Sequence, residues 1–265
     1  MTLRSGSDGQ KTTFIGAWFR ATVGAAYSLA MALPSRAMRP RVVRLAREFG
    51  YDHRVGPRPT LPTMEIHEAA PDVAIRVREP LSADGNVTLL ELTVLNALVA
   101  ARRPERIFEI GTFDGRTTLN FAANAPDAAV YTLDLPTASI PALAVHSDDR
   151  QFIGRSQGGA RGARFRAAVE RERITQLEGD SATFDYSPFA KTVDFVFVDG
   201  AHSYDYVMSD SRKALELAAP GALIAWHDYG EWEGVTRALN ELHASDTRFG
   251  AMRHVRGTTL ALLEV

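Results

Sequence analysis

The sequence contains no cysteine. That absence excludes disulfides, thiolate zinc sites and cysteine nucleophiles, and it is compatible with a cytoplasmic protein. Net charge is also nearly absent: 30 Lys and Arg stand against 32 Asp and Glu, for a net −2. There is therefore no global pull toward nucleic acid or an anionic membrane. A long apolar run is missing too. The nearest approach, Phe14 to Leu33, is interrupted by Arg20 and holds Gly16 and Gly24, whereas a spanning helix needs about 20 apolar residues with few or no charges. Ala30-Met31-Ala32 could mimic a cleavage site, but the n-region before it is long and polar. The dinucleotide fingerprint G-x-G-x-x-G is absent, since Phe113 and Arg116 stand where its second and third glycines would be, and no Gly-Lys-Ser/Thr phosphate loop occurs. An Asn/Asp-Pro-Pro-Tyr/Phe signature of nucleic-acid base methylation, internal repeats and low-complexity tracts are lacking as well.

What is present is 265 residues of ordinary globular composition, 45% apolar and 23% charged. That length suits one α/β domain with an extension, or two small domains. Residues 1–60 hold ten Lys and Arg against three acids (Asp8, Glu48, Asp52), while the remainder holds twenty against twenty-nine. The first 60 residues read as a basic helical extension that packs on the main domain or on a second subunit of a homo-oligomer. The sharper alternative is an interfacial helix at 14–33 that makes peripheral contact with a membrane, its arginines meeting lipid headgroups. Residues 61–86, with Pro62, Pro71, Pro80 and Ala83-Asp-Gly-Asn86, read as a linker. Asn86 is a candidate cap for a helix over Val87–Ala101, which Pro104 prevents from running on.

From there strands and helices alternate. Strands are expected at 106–110, 129–133, 174–178, 193–198 and 222–226, and a closing hairpin of 252–255 and 258–263 turns around Gly257. Helices are expected at 117–125, 206–218 and 234–243. Residues 136–172, rich in arginine and holding Gly158-Gly159, break the rhythm and fit a helix or a basic loop. The expected fold is α/β, a Rossmann-like doubly wound sheet of seven mostly parallel strands with a C-terminal antiparallel hairpin. In such sheets ligands bind beyond the carboxyl ends of the strands. Polar residues collect at those ends: Glu109 with Asp114, Asp134, Asp180, Asp199 with His202, and His227 with Asp228.

The turn Glu109-x-Gly111-x-x-x-Gly115 joins a strand to a helix. Glycines permit close approach and positive φ, and the helix N-terminus beyond them suits an anion. Asp134, 23 residues after Gly111, suits an acid that accepts both hydroxyls of a ribose. Together these features point to a nucleoside ligand without saying which.

The run Phe108-Glu-Ile-Gly-Thr-Phe-Asp-Gly-Arg-Thr-Thr118 resembles motif I of class I S-adenosylmethionine (SAM)-dependent methyltransferases. Phe113 in place of its middle glycine resembles the catechol O-methyltransferase-like branch. Gly179-Asp-Ser181, Val198-Asp-Gly-Ala-His-Ser-Tyr204, Trp226-His-Asp-Tyr229 and Arg253 to Ala261 resemble later motifs of the methyltransferase 24 family. The similarity spans about residues 87–265. It implies that Glu109, Gly111, Thr112 and Gly115 wrap the methionine part of SAM, that Thr117 holds its carboxylate, that Asp134 takes the ribose, and that Asp180 with Ser181 takes the adenine. Asp199 also belongs to that cofactor edge.

Asp199, His202, His227 and Asp228 form a further constellation. Asp199 and Asp228 end neighbouring strands, so their carboxylates can converge on a divalent cation such as Mg2+, which would activate a substrate hydroxyl. Metal-dependent relatives carry acid-acid or acid-amide where this chain has His227-Asp228, so a metal-free site with His202 or His227 as general base stands beside it. The expected function is methyl transfer to a hydroxyl of a small molecule, a sugar or secondary metabolite. The alternative is a non-catalytic nucleoside-binding or scaffold protein on the same fold.

Overall fold

The computed structural model describes residues 14–32, 34, 35, 39, 42, 57–83, 85–136 and 161–265. The chain divides into two compact units, Met1–Gly56 and Pro57–Val265. In the first, helix α1 spans Phe14–Ala32.

The second unit is built on one sheet. Its strands are β1 (Thr63–Met64), β2 (Arg106–Ile110), β3 (Ala129–Asp134), β4 (Ile174–Glu178), β5 (Val193–Val198), β6 (Ala218–Trp226), β7 (Arg253–Val255) and β8 (Ala261–Glu264). They lie in the order β1-β7-β8-β6-β5-β2-β3-β4. β4, β3, β2, β5 and β6 run parallel, and β8 is antiparallel to both β6 and β7. The helices are α2 (Ile66–Ala69), α3 (Leu89–Arg102), α4 (Arg116–Asn124), α5 (Tyr204–Leu217) and α6 (Glu233–Ser245).

Strand periodicity sorts the core into two layers. Phe108, Ile110, Val196, Val198, Ile224 and Trp226 face one side, with Leu215 of α5 and Leu239 and Leu242 of α6. Their neighbours Ile107, Phe195, Phe197, Leu223 and Ala225 face the other, with Leu95 and Leu98 of α3 and Leu119 and Phe121 of α4. Successive side chains of a strand point to opposite faces, so a strand with helices on both sides must be apolar throughout. β5, Val-Asp-Phe-Val-Phe-Val, meets that demand at the sheet centre except at Asp194 near its start, whose carboxylate accepts from the amides of Glu105 and Arg106.

Several boundaries differ from the sequence reading. The sheet has eight strands, because Thr63–Met64 in the stretch read as linker pairs with β7. Residues 76–80 of that stretch are also tied down. Asn120 and Asn124 of α4 each accept from and donate to its backbone, at Arg78 and Arg76. Arg116, fully buried, donates to the carbonyls of Glu79, Pro80 and Val87. Asn86 does not cap α3. Thr88 does, accepting from the Glu91 amide while the Glu91 carboxylate accepts from the Thr88 amide, a capping box. α5 ends at Leu217, and Pro220-Gly221 sits in an irregular opening of β6, where a proline costs no ladder bond. Of the arginine-rich stretch, 137–160 lies outside the described residues. Those that follow are engaged: Arg164 bonds Asp114 and Glu79, Arg161 pairs with Glu178, and Arg173 donates to the carbonyls of Ala122 and Ala125 at the end of α4.

Candidate active site

The strand ends of β2 through β6 converge along one edge of the sheet, as the topology requires, and every candidate site residue lies there.

The β2–α4 turn is shaped by its contacts with protein. Gly111 has φ 103°, and a Cβ there would lie 2.0 Å from the carbonyl oxygen of Asp199. Gly115 has φ 83°, and a Cβ would lie 2.5 Å from the Phe165 ring. These glycines let the turn press against β5 and against Phe165, which the motif alone did not reveal. Phe113, in place of the middle glycine, takes a left-handed φ of 48°, a conformation an ordinary side chain adopts at some cost. Gly115 starts α4 without a side-chain cap, which leaves first-turn amides at Thr117 and Thr118 to meet an anionic group. Thr117 lies buried in that turn.

Glu109 points beneath the turn. Its carboxyl accepts from the Thr118 hydroxyl and, at 2.7 Å, from Thr132, whose hydroxyl lies 2.7 Å from that of Thr112. Thr132 has one proton and gives it to Glu109, so Thr112 donates to Thr132. Burial raises Glu109 to about 8; the two threonine bonds oppose this, and the charges of Asp199 and Asp134 add to it. Asp134 ends β3 and binds the turn from the other side, accepting from the amides of Phe113 (3.1 Å) and Leu135 (2.8 Å). Burial pushes it above the ordinary aspartate range. Asp180 follows β4 and accepts from the amide of Ala182 at 3.0 Å. Ser181 sits beside it, next to buried Asp210 of α5, which burial lifts to about 7.

Beyond β5 and β6 the site changes character. His227 is held on both ring nitrogens. Nδ1 lies 3.1 Å from Asp199 and 3.2 Å from Asp228, and Nε2 lies 3.3 Å from Glu91. Burial pulls its pKa down, but Asp228 and Asp199 more than reverse that and hold it well above 6.5. Burial likewise pushes Glu91 up, yet His227 and the amides of Thr259 and Thr88 bring it to about 2. Asp228 is held below the usual carboxylate range by His227 and His202 against the cost of burial. Asp228 also has a left-handed φ of 66°, fixed by its amide donating to the Thr259 hydroxyl. His202 Nε2 lies 2.8 Å from Asp228, and its ring stacks on Trp232 with centroids 4.3 Å apart. Gly234 brings α6 against this loop, since a Cβ there would meet the His202 carbonyl at 2.2 Å.

Asp199, His227 and Asp228 each offer a ligand atom within 4.8 Å of one another. Two carboxylates and an imidazole fit a divalent cation when the ring is neutral. With both ring nitrogens directed at carboxylates, the imidazolium serves the same electrostatic purpose from within the protein.

The sequence reading missed Glu91, Thr259, Trp232 and Phe165. Glu91 had a legible signal in the Thr88-x-x-Glu91 capping pattern, and Thr259 lies within the Arg253 to Ala261 motif; Trp232 and Phe165 belong to the site through tertiary packing.

Comparison with known proteins shows what the chain resembles. Residues 108–229 match the model of the methyltransferase 24 family, described as a methyltransferase domain. A methyltransferase from Podospora anserina, solved bound to SAH, superposes with TM-score 0.51 at 16% identity, over 68% of this chain and 79% of that one. The O-methyltransferase TomG from Streptomyces achromogenes, solved with SAM, gives 0.48 at 21% identity, over 76% and 98%. Comparison with curated proteins by sequence gives no match. Residues 108–229, ordered around the β2–α4 turn and the β5 and β6 ends, thus resemble a methyltransferase 24 domain, and the sheet that carries them has the Rossmann-like methyltransferase fold.

Proposed function

We propose that this protein transfers the methyl group of SAM to a hydroxyl of a small molecule, a sugar or secondary metabolite, in the cytoplasm. The observation that supports an O-nucleophile is the His202–Asp228 pair beside His227, next to the β2–α4 turn. In this reading Thr117 and the first-turn amides of α4 hold the SAM carboxylate, Asp134 the ribose, and Asp180 with Ser181 the adenine. Gly111 and Gly115 set the turn that follows the methionine part. Glu109 and Thr112 support that turn from below, and Asp199 borders the cofactor while facing His227.

SAM supplies a methyl already activated on a sulfonium. The chain's task is to align the acceptor, exclude water and remove one proton. Nε2–H of His202 donates to the Asp228 carboxylate, which makes Nδ1 the basic atom of that ring. His202 takes the hydroxyl proton there as the acceptor oxygen bonds to the methyl carbon and the carbon–sulfur bond breaks. His227, positive and enclosed by Glu91, Asp199 and Asp228, balances the carboxylates and steadies charge developing on the oxygen.

A second reading is favoured by the ligand-atom cluster itself. Asp199, Asp228 and a neutral His227 would hold a divalent cation, whose Lewis acidity would lower the pKa of the acceptor hydroxyl. Calorimetry with SAM tests the shared premise: absence of heat at millimolar SAM would refute both. Methyl transfer from labelled SAM to a panel of hydroxylated acceptors tests catalysis and excludes a mere nucleoside-binding scaffold. The same assay after chelation separates the two readings, since activity retained in EDTA supports His202 and activity restored by Mg2+ or Mn2+ supports the cation.

A further inference from the structure

The methyl-transfer chemistry leaves helix α1 without a role, and its surface is unusual. Ile15, Trp18, Phe19, Val23, Tyr27 and Leu29 are all more than half exposed. Five of them gather on one side. At about 3.6 residues per turn, Trp18, Leu29, Ile15, Phe19 and Val23 fall within one continuous face. Arg20, the sole charged residue of the helix, lies two and a half turns from Leu29 and so on the opposite side, between Tyr27 and Met31 and near Gly16, Gly24 and Ser28. Even the hydroxyl of Thr22 is satisfied inside the helix, donating to the Trp18 carbonyl at 2.9 Å. Among the described residues no helix is long and apolar enough to cross a membrane. A bulky apolar face of this extent needs a partner that removes it from water.

Charge identifies the partner. Residues 1–60 hold ten Lys and Arg against three acids, a net of +7. A second copy of this segment would repel the first, whereas an anionic bilayer surface attracts it. We propose that α1 lies in the headgroup region of an anionic membrane, with Trp18, Leu29, Ile15, Phe19 and Val23 in the acyl boundary and Arg20 directed to the phosphates. Trp18 and Tyr27 suit that depth, because their rings are apolar with a polar edge. Arg20 lays its methylene stem along the helix while its guanidinium reaches water and phosphate. This inference is independent of the methyl-transfer chemistry.

Cosedimentation of the full chain with lipid vesicles tests it. Expected is binding to vesicles of mixed phosphatidylglycerol and phosphatidylcholine, weakened by high salt, with little binding to phosphatidylcholine alone. Phe19→Glu/Val23→Glu should lower the bound fraction about ten-fold or more, and Arg20→Gln, which leaves the apolar face intact, roughly five-fold. Circular dichroism checks that each variant remains folded. No binding to anionic vesicles, or equal binding to neutral ones, overturns the proposal. So does a dimer in light scattering that Phe19→Glu/Val23→Glu converts to monomer, because the covering partner would then be a second copy.

Discussion

The two halves of the strand-end edge use the same residue types to opposite effect. At the ends of β2 and β3, and at Asp210 beside the end of β4, carboxyls are pushed toward their neutral forms. Glu109 rises to about 8, Asp210 to about 7, and Asp134 also rises, each chiefly through burial. At the ends of β5 and β6, Glu91 falls to about 2 and Asp228 falls as well. Burial opposes ionisation in both halves; the difference is a cation. His227 stands among Glu91, Asp199 and Asp228, whereas Glu109 has only hydroxyl partners. Desolvation decides the protonation state unless a charge of opposite sign is within reach. One half thereby shifts its carboxyls toward their protonated forms around a prepacked turn, and the other is a charged cluster able to accept a proton.

Experiments that separate the halves sharpen this contrast. The largest effect is expected at His202. His202→Ala should lower methyl transfer by about 10²- to 10⁴-fold while SAM affinity, read by calorimetry, stays within about three-fold. Comparable losses of both would place His202 with the cofactor instead.

Next comes Glu91. Glu91→Ala leaves a buried imidazolium short of one partner, so chemical denaturation should show a loss of about 3–5 kcal/mol. The pH dependence has a defined sign. Glu91 has a folded pKa lowered from 4.5 to about 2, so its contribution is present above about 4.5 and is lost as pH falls toward 2. Glu91→Gln should flatten the wild-type stability profile in that window; an unchanged acid limb would show that Glu91 is not ionised against His227.

Glu109 should behave in the opposite sense. Its folded pKa is raised from 4.5 to about 8, so its contribution is full below about 4.5 and declines as pH rises toward 8. Glu109→Gln keeps an acceptor for Thr118 and Thr132 and has no proton to lose. The variant should gain on the wild type by about 3–4 kcal/mol between pH 5 and pH 8, read from thermal unfolding at both. A constant gap across that range would mean that Glu109 ionises normally.

A smaller effect is expected at Asp134. Asp134→Asn should weaken SAM binding about ten-fold or more through the lost charge-assisted acceptor. It should destabilise the fold only slightly, because the amide oxygen can still accept from Phe113. Unchanged SAM affinity would remove Asp134 from the ribose.

Much of the architecture was legible in the chain. The almost wholly apolar β5 between turn residues read as a strand buried on both faces, and the order of acids after β2, β3, β4, β5 and β6 placed the site along one edge. Capping and edges were less legible. Asn86 and Thr88 are both good cap residues, and the reciprocal bonds between Thr88 and Glu91 decide between them. The strap at 76–80 read as linker because its bonds come from Asn120, Asn124 and Arg116, roughly 40 residues away, and the two-residue β1 has no periodicity to detect.

The sequence by itself determined the fold, the β2–α4 turn and the identity of the strand-end acids, because strand and helix periods are local and the motif residues are close neighbours in the chain. Tertiary structure alone decided what those acids do. The state of a carboxyl depends on whether an imidazole 28 or 136 positions away comes within about 3 Å of it, and Coulomb energy at that distance in a dry site outweighs any local preference.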